Sequence, residues 1–215
     1  MGYERQVSRS VAPDRDPAAP PILSLSDEDL MARVAEDDER AFSELVRRFQ
    51  GRVMNLITRV LNDRECSDDL AQEVFVRVYQ NRARFDPRQQ FSTWLYAIAT
   101  NFVKDRYRYR ARHPQVSLDA ENVTTSGRNF KERIREECPT PSEQLQAQER
   151  AEIVRRAIAD LPEELGTPLL LSEYEELSHA RIGEILGCSE KAIETRLYRA
   201  RQRLRSSLSR FLGPA

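Results

Sequence analysis

Between Ala41 and Leu61, eight large apolar residues, Phe42, Leu45, Val46, Phe49, Val53, Leu56, Ile57 and Val60, recur at helical spacing. At about 100° per residue they fall within an arc about 120° wide. A strand would need strict alternation, which is absent here. The stretch therefore reads as a long helix with one face that must be buried against other helices. Composition agrees: Ala, Leu, Arg and Glu dominate, only 7 Gly occur, and no β-branched alternation appears anywhere. The fold class expected is all-α.

The rest of the chain divides around that helix. Residues 1–25 carry Pro13, Pro17, Pro20 and Pro21 and no apolar period, and read as a disordered tail. Ser26-Asp-Glu-Asp resembles a capping box with aspartate in third place, ahead of Leu30, Met31 and Val34. Ser67 can cap a third helix with Leu70, Ala71, Val74 and Val78 inward, while Asp69, Gln72, Glu73 and Val76 point elsewhere. After a loop over 81–90, Ser92 or Thr93 starts a fourth helix with Leu95, Ile98, Ala99 and Phe102 on its apolar face. Residues 26–112 form one small helical domain.

Residues 113–141 hold three prolines and a Ser-Gly pair and read as a flexible linker, with Phe130 to Cys138 as a possible short helix. Residues 142–215 form a second small helical domain. Its first helix runs from Ser142 through Ala159, and Leu161-Pro162-Glu163 opens the next. Pro168 falls inside that pattern and either kinks the helix or restarts it.

The sharpest local pattern follows. Ile182, Gly183, Ile185 and Leu186 end a short helix, Gly187-Cys188-Ser189 makes a turn, and Ile193, Leu197, Ala200, Leu204 and Leu208 line a longer one. That is helix-turn-helix spacing, with Gly183 small at the crossing and Gly187 free to adopt positive φ. Opposite the stripe stand Lys191, Thr195, Tyr198, Arg199 and Gln202, with Arg196 and Arg203 at the edge. A major groove accepts such a helix and exposes base edges to it.

Charge placement points the same way. The formal net charge is only −1, yet Lys191 to Arg210 holds seven bases and one acid. Arginine outnumbers lysine throughout, and its planar fork suits phosphate oxygens. On the fourth helix Trp94, Asn101, Asp105, Arg108 and Arg112 share one stripe beside the buried face. A ring with amide and basic partners on one face suits unstacked bases, although a half-buried core Trp94 fits the pattern equally well.

Asp68-Asp69-Leu70-Ala71-Gln72-Glu73-Val74-Phe75, Phe91-Ser92-Thr93-Trp94-Leu95-Tyr96-Ala97-Ile98-Ala99-Thr100-Asn101, Leu161-Pro162-Glu163 and Thr195-Arg196-Leu197-Tyr198-Arg199-Ala200-Arg201 together resemble, in order, the sigma subunits of bacterial RNA polymerase. The branch resembled is the short extracytoplasmic-function type. The resemblance implies two helical domains on a flexible linker. The first would bind the beta-prime clamp helices of core polymerase and the melted minus-ten element; the second would read the minus-thirty-five element as duplex, beside the beta subunit.

By the same resemblance Asp69, Gln72, Glu73 and Val76 contact polymerase. The loop from Arg84 through Phe85 and Asp86 to Gln90 captures a flipped base, Asn101 and Asp105 lie on the minus-ten helix, and Glu194, Thr195, Tyr198 and Arg199 meet the minus-thirty-five element. Glu194 departs from the basic residue often found there. An anti-sigma protein is the implied inhibitor.

Other classes are less well served. A stand-alone helix-turn-helix repressor or activator usually binds paired half-sites as a dimer, and no dimerisation helix follows Arg210. An enzyme would need a metal-carboxylate cluster or a nucleophile with its base, and neither is legible. Cys66, Cys138 and Cys188 are odd in number and widely spaced, so no disulfide, metal site or cofactor is expected. No apolar run approaches the roughly 20 residues of a membrane span, and the start lacks the apolar middle of a secretory signal, so no membrane insertion and a cytoplasmic location are expected.

Overall fold

The computed structural model describes residues 21–62, 67–112 and 141–212, and among these residues it has eight α-helices: α1 (Asp27–Ala35), α2 (Glu39–Leu61), α3 (Ser67–Gln80), α4 (Phe91–Arg112), α5 (Pro141–Ala159), α6 (Glu163–Glu173), α7 (His179–Leu186) and α8 (Glu190–Leu212). Among the described residues there is no strand, and no helix is long and apolar enough to cross a membrane. The expected helix over 130–138 and the residues Cys66 and Cys138 lie outside the described residues.

Caps fix where the helices begin. The Ser26 hydroxyl accepts from the Asp29 N–H at 3.1 Å, as the capping-box pattern predicts, and three acids fill the first turn of α1. α2 starts at Glu39, two residues before the apolar stripe, because the Asp38 carboxylate accepts from the N–H groups of Arg40 and Ala41. α4 is capped from a distance: Glu28 of α1 accepts from the Phe91 N–H at 2.9 Å, which ties the start of α4 to α1 across the bundle.

Part of the segment expected to be a disordered tail is structured. Ile22–Ser24 form a single 3-10 turn, held because Arg48 donates to the carbonyls of Leu23 and Leu25 as well as to Asp27. Arg48 and Arg47 together clasp Glu44, which is buried. Hydrogen bonds from Arg47 and then Arg48 hold the Glu44 carboxyl down at about 2, so it stays ionised inside the bundle.

The first core gathers Leu30, Met31 and Val34 of α1, Leu45, Phe49, Val53 and Ile57 of α2, Leu70, Val74 and Val78 of α3, and Leu95, Ala99 and Val103 of α4. Phe91 sits at its centre, with its ring 5.2 Å from that of Phe49. A second core belongs to α6, α7 and α8, where Leu165, Leu169, Leu170, Ile182, Ile193 and Leu197 meet. Helix α6 runs through Pro168 without restarting. It is enclosed by α2, α7 and α8, and that burial offsets the one backbone hydrogen bond the proline removes.

The two cores are in contact. Leu56 of α2 and Tyr96 of α4 are buried in the second core, where α2 meets α6 and α4 meets α7.

Candidate nucleic-acid interface

Helix α7 ends where Gly187 takes φ +65°, a conformation costly for side chains with a Cβ, and α8 starts two residues beyond Cys188. Ser178 caps α7, and the Ser189 hydroxyl accepts from the Ala192 N–H at 3.3 Å at the head of α8. Gly183, Ile182, Ile193, Leu197 and Ala200 are buried in the angle between the helices. The opposite face of α8 is left to solvent: Lys191, Glu194, Thr195, Arg199 and Arg203 are exposed, and Tyr198 is 68% exposed.

Two of the expected contacts are partly engaged within the protein. The Thr195 hydroxyl donates to the Lys191 carbonyl at 2.9 Å, so only its lone pairs face outward. Arg196 is half-buried, and its Nη1 donates to the Cys188 sulfur at 3.6 Å, which turns one arm of the guanidinium into the turn. Arg201, which is not among the expected DNA contacts, pairs with Glu173 at 2.8 Å.

A second surface lies on α4 and the loop before it. Asn101, Asp105 and Arg108 are exposed along one stripe; Arg112 closes the helix, and its side chain lies outside the described residues. Trp94 is half-buried, with its ring 5.3 Å from Phe85 and 6.3 Å from Phe91. The structure shows the half-burial: one part of the indole belongs to an aromatic cluster while the remainder reaches solvent. That cluster also fixes the loop, since Phe85 stacks between α4 and the core.

Arg84 is exposed beside Phe85. Asp86 is clamped by Arg88, whose side chain and backbone N–H both donate to it, and these bonds hold its carboxyl at about 2. Arg88 thus neutralises the one acid of the loop. No periodicity marks it, and its only sequence signal is a base two residues after an acid.

A third surface lies on α3. Asp69, Gln72, Glu73 and Val76 are all exposed on α3, with Val76 at 46%, and Glu73 accepts from Arg77 at 3.3 Å. Gln72 and Val76 border a groove of about 750 Å³ between α2 and α3 whose apolar wall is Phe42, Val46, Met54, Phe75 and Tyr79. Phe42 and Val46 belong to the α2 stripe expected to be buried, yet they are only half-buried because they face this groove. Met54 lies off the stripe, so spacing alone does not single it out.

The sigma-70 region 2 family model matches residues 45–113, and the sigma-70 region 4 model matches residues 151–204. The chain is 35% identical over 176 residues to the ECF RNA polymerase sigma factor SigW of Bacillus subtilis, covering 82% of this chain and 93% of that protein. Among solved structures it is similar to CnrH in complex with the cytosolic domain of CnrY, with TM-score 0.62, 25% identity, and coverage of 86% of this chain and 98% of that one. The sigma factor RpoE of Bartonella quintana, solved in complex with the anti-sigma factor NepR, shares the fold at TM-score 0.61 and 18% identity, over 78% of this chain and 96% of that one.

Proposed function

The chain belongs to the extracytoplasmic-function branch of the sigma factors of bacterial RNA polymerase, and from that premise we infer that it binds core polymerase, directs it to specific promoters and answers to an anti-sigma protein. The observation that carries this reading is the separation of faces. One chain presents an acidic and apolar face on α3, an aromatic and amide stripe on α4, and an arginine-rich face on α8, each exposed on its own helix.

The roles divide by chemistry. Asp69, Gln72, Glu73 and Val76, with the groove beside them, offer an apolar surface rimmed by acids to a basic, amphipathic helical partner in polymerase. Arg84, Phe85, Asp86, Trp94, Asn101, Asp105, Arg108 and Arg112 take the minus-ten strand once melted, with rings against bases and arginines against the backbone. Lys191, Glu194, Thr195, Arg196, Tyr198, Arg199 and Arg203 meet the minus-thirty-five duplex, the helix lying in the major groove.

The chain works by placement and does no bond chemistry of its own. Residues 26–112 and 142–215 are the two working domains, residues 113–141 the linker between them and residues 1–25 the tail. A partner of polymerase works in the cytoplasm. Run-off transcription with core polymerase on a pool of genomic promoters is the test. Promoters should be selected only when the chain is added, and equal selection without it overturns the reading.

A further inference from the structure

The segment between α3 and α4, numbers 81–90, carries Arg84, Phe85 and Asp86, and two carboxylates from outside it hold its ends. At the entry, all three nitrogens of the Arg82 guanidinium are engaged. Nη2 and Nε donate to Asp37 Oδ1 at 2.6 and 3.1 Å, and Nη1 donates to the Tyr79 carbonyl at 3.0 Å. The guanidinium also lies over the Tyr79 ring, 4.2 Å from its centre, and the Tyr79 hydroxyl donates to the same Asp37 oxygen at 3.4 Å. Arg82 therefore has no fork left for a phosphate. At the exit, the Phe91 N–H, which has no partner within α4, donates to Glu28 at 2.9 Å. Glu28 lies on α1 and Asp37 in the turn after it, so one short stretch ties both ends of the loop across separations of 63 and 45 residues.

Asp37 stands at φ +65°, in the left-handed region. Glycine is the easier residue there, because that conformation disfavours a Cβ. The largely exposed Asp37–Arg82 pair adds little to folding. Backbone outliers of this kind cluster where function needs a fixed geometry. What the pair fixes is the 3-10 turn Arg82–Arg84, and with it the side chains that follow. Arg84 is exposed, while the Phe85 ring lies 6.1 Å from that of Phe91 and 5.3 Å from that of Trp94.

We propose that Glu28 and Asp37 are positioning residues for capture of the minus-ten strand: they preset the loop between α3 and α4 before the strand arrives, without touching DNA themselves. The proposal rests on the minus-ten role given above to Arg84, Phe85 and Asp86. A loop already in its bound shape loses less freedom on binding, so the brace acts on strand capture and leaves duplex binding alone.

Trp94 is the single tryptophan of the chain and packs on Phe85, so its emission reports the loop in the free chain. Asp37→Gly removes the carboxylate while easing the backbone, so its melting temperature should not fall. Its Trp94 emission should nevertheless shift to longer wavelength and become more open to acrylamide quenching. Glu28→Ala should do the same, whereas Glu28→Gln, which keeps an acceptor for the Phe91 N–H, should retain the native emission.

Holoenzyme assembled with each variant chain in excess is then offered two fluorescent probes taken from a promoter selected in the run-off assay, the minus-ten sequence as a single strand and the minus-thirty-five sequence as a duplex. Asp37→Gly and Glu28→Ala should weaken single-strand binding about tenfold and Glu28→Gln by less than about twofold, with duplex binding unchanged in all three. Asp37→Gly combined with Arg82→Ala should bind the strand no worse than Arg82→Ala alone, since the two groups act as one tie.

A pair that serves folding alone predicts a stable Asp37→Gly chain that captures the strand as well as the wild type, and that result overturns the proposal. So does native Trp94 emission in both Asp37→Gly and Glu28→Ala, or a Glu28→Gln chain as weak as Glu28→Ala. Wild-type holoenzyme that captures no single strand overturns the minus-ten reading and this proposal together. The free-chain emission, read with no polymerase present, tells that failure from a missing brace.

Discussion

Gly183 and Cys188 approach each other so closely that a Cβ on Gly183 would lie 2.6 Å from the Cys188 carbonyl oxygen, while the Cys188 N–H donates to the Gly183 carbonyl at 2.9 Å. Both sides of this contact are backbone, so neither can swing away. The α7–α8 angle is set here, and with it the direction in which α8 presents its arginines.

Gly183→Ala should therefore destabilise the carboxy-terminal half by about 1–3 kcal/mol, since something in the turn has to shift. Gly187→Ala should cost about 1–2 kcal/mol for a different reason: nothing crowds it, but its φ is +65°. Gly51→Ala, in the middle of α2 with open space around it, should instead stabilise by about 0.5–1 kcal/mol. Urea melts of the three variants check the order, and a stabilising Gly183→Ala would show that the crossing is looser than described.

A pH dependence follows from Glu44. Its folded carboxyl is held at about 2, below the ordinary glutamate value of 4.5, by hydrogen bonds from Arg47 and then Arg48. Between these values the unfolded chain binds more protons than the folded one, so the contribution to stability is complete above about pH 4.5 and is lost as pH falls toward about 2. Glu44→Gln should flatten the acid limb of the stability curve in that window and leave the slope near pH 7 unchanged. Thermal melts from pH 2 to pH 7 give the comparison.

The fold was legible wherever one apolar stripe serves one core. The α3 face and the α7–α8 turn were of that kind, since spacing and glycine placement alone locate Leu70, Val74, Gly183 and Ile193. Two features were not legible, each because a residue serves a second surface. Leu56 lies on the same α2 stripe as Phe49 and Ile57 but packs into the second core, and Tyr96 lies on the flank of α4 beside Ala99 and Val103 of the first core yet is buried in the second. Periodicity reports that a face is buried without reporting against what. The groove of α2 and α3 was hidden for the converse reason, because Phe42 and Val46 count as buried by spacing while remaining half-open. The ordering of Ile22–Ser24 depends on Arg48, more than twenty residues away, which no local pattern encodes.

The exposed face of α3 supports a separation of folding from binding. Asp69 makes no core contact, and Glu73 forms an exposed i,i+4 pair with Arg77 worth about 0.3–0.5 kcal/mol. Asp69→Ala with Glu73→Ala should leave helicity and melting nearly unchanged, while capture by core polymerase falls about tenfold, equivalent to about 1.4 kcal/mol. Met54→Ala, inside the groove, should weaken capture as well. Undiminished capture by all of these variants would remove the polymerase role from this face.

On α8, Lys191 and Arg199 should divide the work on duplex DNA. Lys191 lies in the first turn, where the helix terminus already favours phosphate, and Arg199 lies two turns along on the exposed face. Lys191→Ala should weaken all promoters nearly equally and reduce the salt slope by about one unit. A bidentate base contact from Arg199 predicts that Arg199→Ala costs about 1–3 kcal/mol and relaxes preference at one position. Arg196 is a weaker reader, because one arm of its guanidinium is turned to the Cys188 sulfur. Glu194 separates two chemistries: Glu194→Ala should shift base preference if the carboxylate accepts from cytosine N4, and strengthen binding to every sequence if it only repels phosphate. Reconstituted holoenzyme on a library randomised at the minus-thirty-five element, at two salt concentrations, reads all three variants together. Unchanged preferences and slopes throughout would mean that a different face of α8, or a different helix, lies in the groove.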